Sequence, residues 1–194
     1  MANSINDTQY TSLTGTSVIE GHIDSAVRFF LSEVPKYISI GKTSPWTYDP
    51  NIPYTNETTD DKHPPAADPS GNLLEVIGCK KIDSSFLVYP SEQGEIEYNG
   101  RRWKISNVEN AKANNARYVY ACVDLAASDL PTGMDYRQIA LIEGLTLRDG
   151  VPTGRSSYVA GDIEEYGSIY ALYNRDPVPR QPYQGERIQI IIQF

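Results

Sequence analysis

Two cysteines, two histidines, two methionines and two tryptophans are all that 194 residues hold of these types, and each scarcity narrows the chemistry. Cys79 and Cys122 stand in apolar surroundings without CxxC spacing. A disulfide framework is therefore not expected, and free, buried thiols in a reducing compartment are. His22 and His63 have no second His, Cys or carboxylate at ligand spacing, so no metal is expected. No apolar run reaches transmembrane length, and Met1 to Thr16 is polar without an apolar core segment. Neither a membrane partner nor a signal peptide is expected. The formal charge of -8 lacks the clustered Lys and Arg that displace counterions from phosphate, so nucleic acid is not an expected partner either. Gly41, Lys42 and Thr43 copy the end of a phosphate-binding loop, but Lys36 stands where its first glycine belongs and Pro45 stops a helix from starting at Lys42. No nucleotide cofactor follows from such a fragment.

What is abundant is Tyr (14), Gly (14) and Pro (13), the composition of a β-rich, loop-rich domain. Met1 to Gly15, rich in Asn, Ser and Thr, reads as a flexible arm that orders against a partner, and residues 16–194 as one domain. Ala26, Val27, Phe30, Leu31 and Val34 recur at helical spacing, which predicts a helix over Asp24–Val34 capped by Asp24 or Ser25 and stopped by Pro35. Tyr37 to Ile40 predicts a short strand ended by Gly41. Asn72 to Gly78 fits either a helix or a strand. Phe86 to Tyr89 predicts a strand, and Glu95 to Tyr98, Asn99-Gly100 and Arg101 to Ile105 predict a hairpin with a type I′ turn. Arg117 to Leu125 is apolar on both faces, as a central strand is, and Tyr136 to Ile142 predicts another strand. Glu143 to Gly161 reads as loop.

The last stretch, Gly167 to Phe194, organises the rest. Ile188, Ile190, Ile192 and Phe194 alternate with Arg187, Gln189 and Gln193, the period of a strand with one buried face. Before it, Ser168 to Asn174 is a second candidate strand. Pro177, Pro179 and Pro182 between the two predict an extended connection that is neither helix nor central strand. The fold class expected is mainly β, an antiparallel sandwich with a short N-terminal helix and long Pro-rich loops.

Thr43 to Ser70 is the least regular part, with Pro45, Pro50, Pro53, Pro64, Pro65 and Pro69. A connection this long inside a compact domain is commonly functional or disordered. Trp46, Tyr48 and Tyr54 make it a candidate partner-contact loop, because aromatics on a proline-stiffened segment lose little entropy when they anchor a partner. The competing reading is that Trp46 covers the domain's own core. Pro45, Trp46, Tyr48, Tyr54, Pro64 and Pro65 are the candidate contact residues. No catalytic constellation emerges. Glu95 and Glu97 alternate along one strand and would be the pair of a cell-wall hydrolase, although a solvated strand face explains them better.

Three segments carry a family resemblance. The first runs from a helix and strand to Gly41-x-x-x-Pro45-Trp46, then Pro64, Pro65 and Asp68. The second leads through Leu130, Pro131 and Gly133 to Tyr136, Arg137, Gln138, Ile139 and Ile142. The third is the pattern GxIYxxxNRxPxxRxxxQxExIxIIIxF of residues 167–194. In this order they resemble the baseplate wedge subunit known as gene product eight of T-even-type contractile-tailed phages, over about half of the chain. This chain is much shorter and lacks the long insertions between the Pro-Trp turn and the middle strands. The resemblance implies a β-sandwich with helix-bearing loops, a homodimer, and a structural place beside other wedge proteins around the tail hub, assembled in the host cytoplasm. It brings no catalysis and no cofactor. A virion-associated hydrolase and a receptor-binding or fibre-attachment adaptor are the alternatives.

Overall fold

The computed structural model describes residues 18–46, 64–67 and 71–194. Met1–Gly15, Tyr48 and Tyr54 lie outside these. In chain order, helix α1 (Ile19–Leu31) is followed by β1 (Lys36–Gly41), β2 (Gly78–Lys81), β3 (Ser84–Pro90), β4 (Ile96–Tyr98) and β5 (Arg101–Ser106). Then come β6 (Tyr118–Leu125), β7 (Met134–Glu143), β8 (Thr146–Leu147), β9 (Ser157–Val159), β10 (Ile163–Glu165), β11 (Ser168–Arg180) and β12 (Glu186–Gln193). Two five-stranded sheets result, β11-β7-β1-β2-β9 and β12-β6-β3-β5-β4, with β8 and β10 as a separate pair. Every pairing is antiparallel, as the expected sandwich requires.

The main core lies between the two sheets. Ile38, Ile40, Ile139 and Leu141 from the first sheet meet Leu87, Val119, Ala121, Val123, Ile188, Ile190 and Ile192 from the second. The alternation read in the last strand is therefore real: Ile188, Ile190 and Ile192 are buried, while Arg187 and Gln193 are exposed. β6 lies between β12 and β3 and is covered on both faces. The outer face of the first sheet carries a second core, where Tyr37, Cys79, Ala140, Ile142 and Tyr158 are covered by Leu145, Leu147, Val151 and Tyr166. The second sheet rolls over its own far face, so that Ile96 and Tyr98 of β4 join Phe86, Tyr118 and Ile191 around buried Val88, Trp103, Tyr120 and Cys122. Asn99 and Gly100 both take positive φ, 49° and 70°, in the turn between β4 and β5. That is the type I′ backbone. Both cysteines are free and buried, and burial pushes the Cys79 thiol up to about 12.

Four local expectations need correction. The helix begins five residues earlier than Asp24 and ends at Leu31, and it buries Ile23, Ala26 and Phe29 rather than Phe30, Leu31 and Val34. Phe29 takes the inward place because Tyr170 and Phe194 receive it, with ring centroids 4.4 and 5.1 Å away. Ser25 does not cap; its hydroxyl bonds Gly21 O one turn back, at 2.8 Å. The proline-rich connection is extended and outside any central strand, as expected, but it is itself paired: β11 continues through Pro177 and Pro179 to Arg180. Proline is tolerated there because β11 is the outermost strand of its sheet, with a register shift between Asn174 and Val178. The supposed loop of residues 143–161 holds β8, β9 and a 3-10 turn over Ala160–Asp162. Asn72 to Gly78 is neither helix nor strand until β2 starts at Gly78.

Charge is also buried in this fold. Arg180, 4% exposed, donates to the carbonyls of Ala126, Leu130 and Pro131 at 3.1–3.2 Å, and so holds the β6–β7 connection, with no carboxylate partner among the described residues. Asp129 in the same connection accepts from Lys80 at 2.9 Å and from Ala126 N at 2.7 Å.

Truncating a side chain at the sheet interface should remove both transfer energy and packing. Ile190→Ala is expected to cost about 2–5 kcal/mol in chemical denaturation, and Gln193→Ala, exposed on the same strand, less than about 0.5 kcal/mol. Equal costs would place Ile190 outside the core.

Candidate functional site

The residues that carried the resemblance come from three distant parts of the chain, and in the fold they form one junction at the β11 edge. It starts at Gly41, where a Cβ would lie 2.4 Å from Leu74 O. Only glycine allows that approach, and the next residue closes it with Lys42 N–H donating to Leu74 O at 2.6 Å. Lys42 and Glu75 both take positive φ, 56° and 42°. Such backbone persists in non-glycine residues only where side chains over-determine it. Here the Glu75 carboxylate accepts from Lys42 Nζ at 3.0 Å, Thr43 Oγ1 at 2.8 Å, Ser44 N at 2.7 Å and the Ser44 hydroxyl. Burial would raise its pKa, but the bonds from Ser44, Lys42 and Thr43 outweigh it and hold the carboxyl well below its ordinary range. This accounts for the Gly-Lys-Thr fragment: the lysine binds a carboxylate of its own chain, and irregular backbone follows it.

The turn then docks on β11 and β7. Arg137, 4% exposed, donates to Thr43 O. Trp46 is buried, its indole N–H donates to Arg175 O at 3.2 Å, and the Lys42 ammonium lies 5.6 Å from its ring centre. Trp46 is thus buried against the β11 edge of its own domain. Pro45 is exposed. On the returning side Pro64 is half-buried and Pro65 buried. The Asn174 amide donates to Pro65 O at 3.2 Å and Ala66 O at 3.3 Å, and itself accepts from Gln138 at 3.1 Å. Gln138 also accepts from Leu74 N at 2.8 Å. Both ends of segment 47–63 are thus fastened to neighbouring residues, Asn174 and Arg175.

Arg175 also leads into the interior. Tyr136 is fully buried, its hydroxyl donates to the Glu186 carboxylate, and the Arg175 guanidinium lies 5.6 Å from its ring centre. Burial first, then the bond to Glu186 and its charge, push the Tyr136 phenol far up. Since β7 belongs to one sheet and β12 to the other, this contact ties the sandwich together behind the junction. Sequence reasoning named Pro45, Trp46, Pro64 and Pro65 but missed Glu75, Arg137, Gln138, Asn174 and Arg175 as their supports. Four of these five stood inside the quoted motifs; Glu75 carried no signal.

The remaining sequence candidates do not converge here. His22 lies in α1, and His63 is outside the described residues. Among the described residues no group of three or more His, Cys, Asp or Glu side chains could hold a metal ion. Glu95 and Glu97 are both exposed, and the Glu95 carboxylate accepts from Ile105 N at 3.3 Å within the hairpin.

The Glu75 contact has a pH signature. With the folded-state pKa depressed, its stabilisation is fully present above the ordinary glutamate value of 4.5 and fades as pH falls below it. Glu75 is partly exposed, so Glu75→Gln should cost only about 1–2 kcal/mol at pH 7. In denaturant titrations the gap between variant and parent should narrow below pH 4.5. A gap independent of pH would remove the carboxylate from the account.

The chain is 29% identical over 146 residues, 72% of its own length and 72% of the relative's, to Virion protein 3 of Enterococcus phage phiEF24C. The model of the family described as baseplate wedge 3 tail fiber network component matches residues 15–194. The chain belongs to that family, and is a structural component of a phage virion, in the tail baseplate, where it interacts with other baseplate and tail proteins.

Proposed function

We propose that the chain is a wedge subunit holding the place that gene product eight has in T-even-type contractile tails. It contributes to baseplate assembly around the hub through protein contacts and works as a homodimer assembled in the host cytoplasm. The observation that carries this reading is the convergence of Gly41 to Trp46, Tyr136 to Ile139 and Asn174 to Glu186 on one junction. A base this rigid lowers the ordering cost of presenting a segment to a partner. Pro45, Pro64 and Pro65 stiffen its ends, Trp46 anchors one of them inward, and Tyr48 and Tyr54 are the wedge contacts.

Replacing residues 48–62 by a Gly-Ser linker of equal length, with Trp46 and Pro65 kept, separates presentation from folding. The melting temperature should stay within about 2 °C of the parent, while co-purification with neighbouring wedge proteins should fall at least tenfold. Undiminished co-assembly sinks the loop's role. Mass measured across a concentration series should give twice the 21.6 kDa of the chain; a monomer throughout removes the homodimer.

The second reading is fibre attachment, favoured by a family description that joins the wedge to a tail fiber network. It places the same loop against a fibre protein, and co-purification with fibre rather than wedge subunits would select it.

A further inference from the structure

Sheet edges attract partners unless they are blocked, and this sandwich treats its two long edges differently. On β11, Pro177 and Pro179 have no N–H to offer, and the Trp46 indole occupies Arg175 O. β12 has no proline along its eight residues. Phe194 N–H donates to its register partner Arg117 O at 3.0 Å, so Ile192, Ile190 and Ile188 turn their backbone groups to β6. Arg187, Gln189 and Ile191 turn theirs outward, and among the described residues only Ile191 O is taken, by the Tyr173 hydroxyl at 3.3 Å.

What faces that open edge is the other rim of the same sheet. Because the sheet rolls up, Glu97, Tyr98 and Asn99 line a cleft of about 330 Å³ together with Ile139, Arg175 and residues 186–189. Tyr98 pairs with Arg101 across a two-residue turn, so the backbone groups of Glu97 point away from β5. Four antiparallel steps separate β12 from β4, so the two rims run in the same direction. They cannot pair with each other as antiparallel neighbours, whereas one strand inserted between them would be antiparallel to both.

From this geometry we infer that the seam between Arg187–Gln189 and Glu97 is a strand-addition site, filled by an extended segment of a neighbouring tail subunit that closes the rolled sheet. A strand paired on both sides must come from outside any sheet, which excludes the described strands of a second copy. Main-chain bonds give such a segment its affinity, and the rim sets its charge. Arg187 is held by Asp124 at 2.6 Å and Arg175 lies 3.9 Å from Glu186, so among the described residues lining the seam Glu97, opposite Arg102 on β5, is the charge outside an ion pair. The segment therefore brings Lys or Arg to that rim. The inference rests on the baseplate reading.

Hydrogen exchange on the isolated chain and on purified baseplates tests it. The amides of Glu97, Arg187 and Gln189 should exchange freely in the isolated chain and at least tenfold more slowly in the baseplate. Gln189→Pro, which removes an outward backbone donor and no backbone bond to β6, should lower incorporation into baseplates at least tenfold. Gln189→Ala controls for the lost bond from Gln189 to the Tyr120 hydroxyl, 2.8 Å, and should incorporate as the parent does. Fast exchange of the three amides in baseplates that contain the chain overturns the seam alone. Protection already present in the isolated chain also overturns it, by showing the seam filled from within. Baseplates that lack the chain altogether overturn the baseplate reading and the seam with it. Should Gln189→Pro fail to fold, the exchange comparison on the parent chain still decides.

Discussion

A strand that carries Ile188, Ile190 and Ile192 on one side can stay in water only if a second sheet covers that side. This single requirement organises the molecule. It forces the chain to cross from the edge of one sheet at Arg180 to the edge of the other at Glu186, so the two long edge strands lie at the same side of the sandwich. Everything with a claim to function is built at that side. The Tyr136 hydroxyl reaches Glu186 across the sheets, and Asn174 and Arg175 hold the two ends of the Pro-rich segment.

The polar network at this junction is costly to bury and correspondingly well satisfied. Arg137, Gln138 and Arg180 are each more than nine-tenths buried, and each finds backbone carbonyls, amides or side-chain acceptors within hydrogen-bonding distance. Breaking one partner would strand another, so such a network specifies one geometry more sharply than an apolar contact of equal area. The prolines fit the same logic. In β11 they remove two N–H donors from the edge, and on either side of segment 47–63 they restrict the backbone where it leaves its anchors.

Periodicity and turn chemistry were enough to foresee the strands at the ends of the alternating runs, the Asn99-Gly100 hairpin, the central position of Arg117 to Leu125 and the burial of both cysteines. These are local or nearly local consequences of side-chain alternation, positive φ and apolar character, and any fold that buries them must honour them. Three errors share a cause. Phe29 rather than Phe30 faces inward because Tyr170 and Phe194 lie there. Pro177 and Pro179 sit in a strand because that strand is outermost. Residues 157–159 form a strand because β2 offers them an edge. In each case the deciding neighbour is far away in sequence.

The chain's alternating isoleucines and its Asn-Gly turn determined by themselves that it is a β protein, since those patterns restrict backbone conformation wherever they occur. Which aromatic would face inward, and which carboxylate would hold Lys42, only the tertiary structure decided. Trp46 and Glu75 have no local pattern that marks their partners, because Arg175 and the Thr43–Ser44 turn come within reach of them only when the two sheets have packed and the β11 edge is formed.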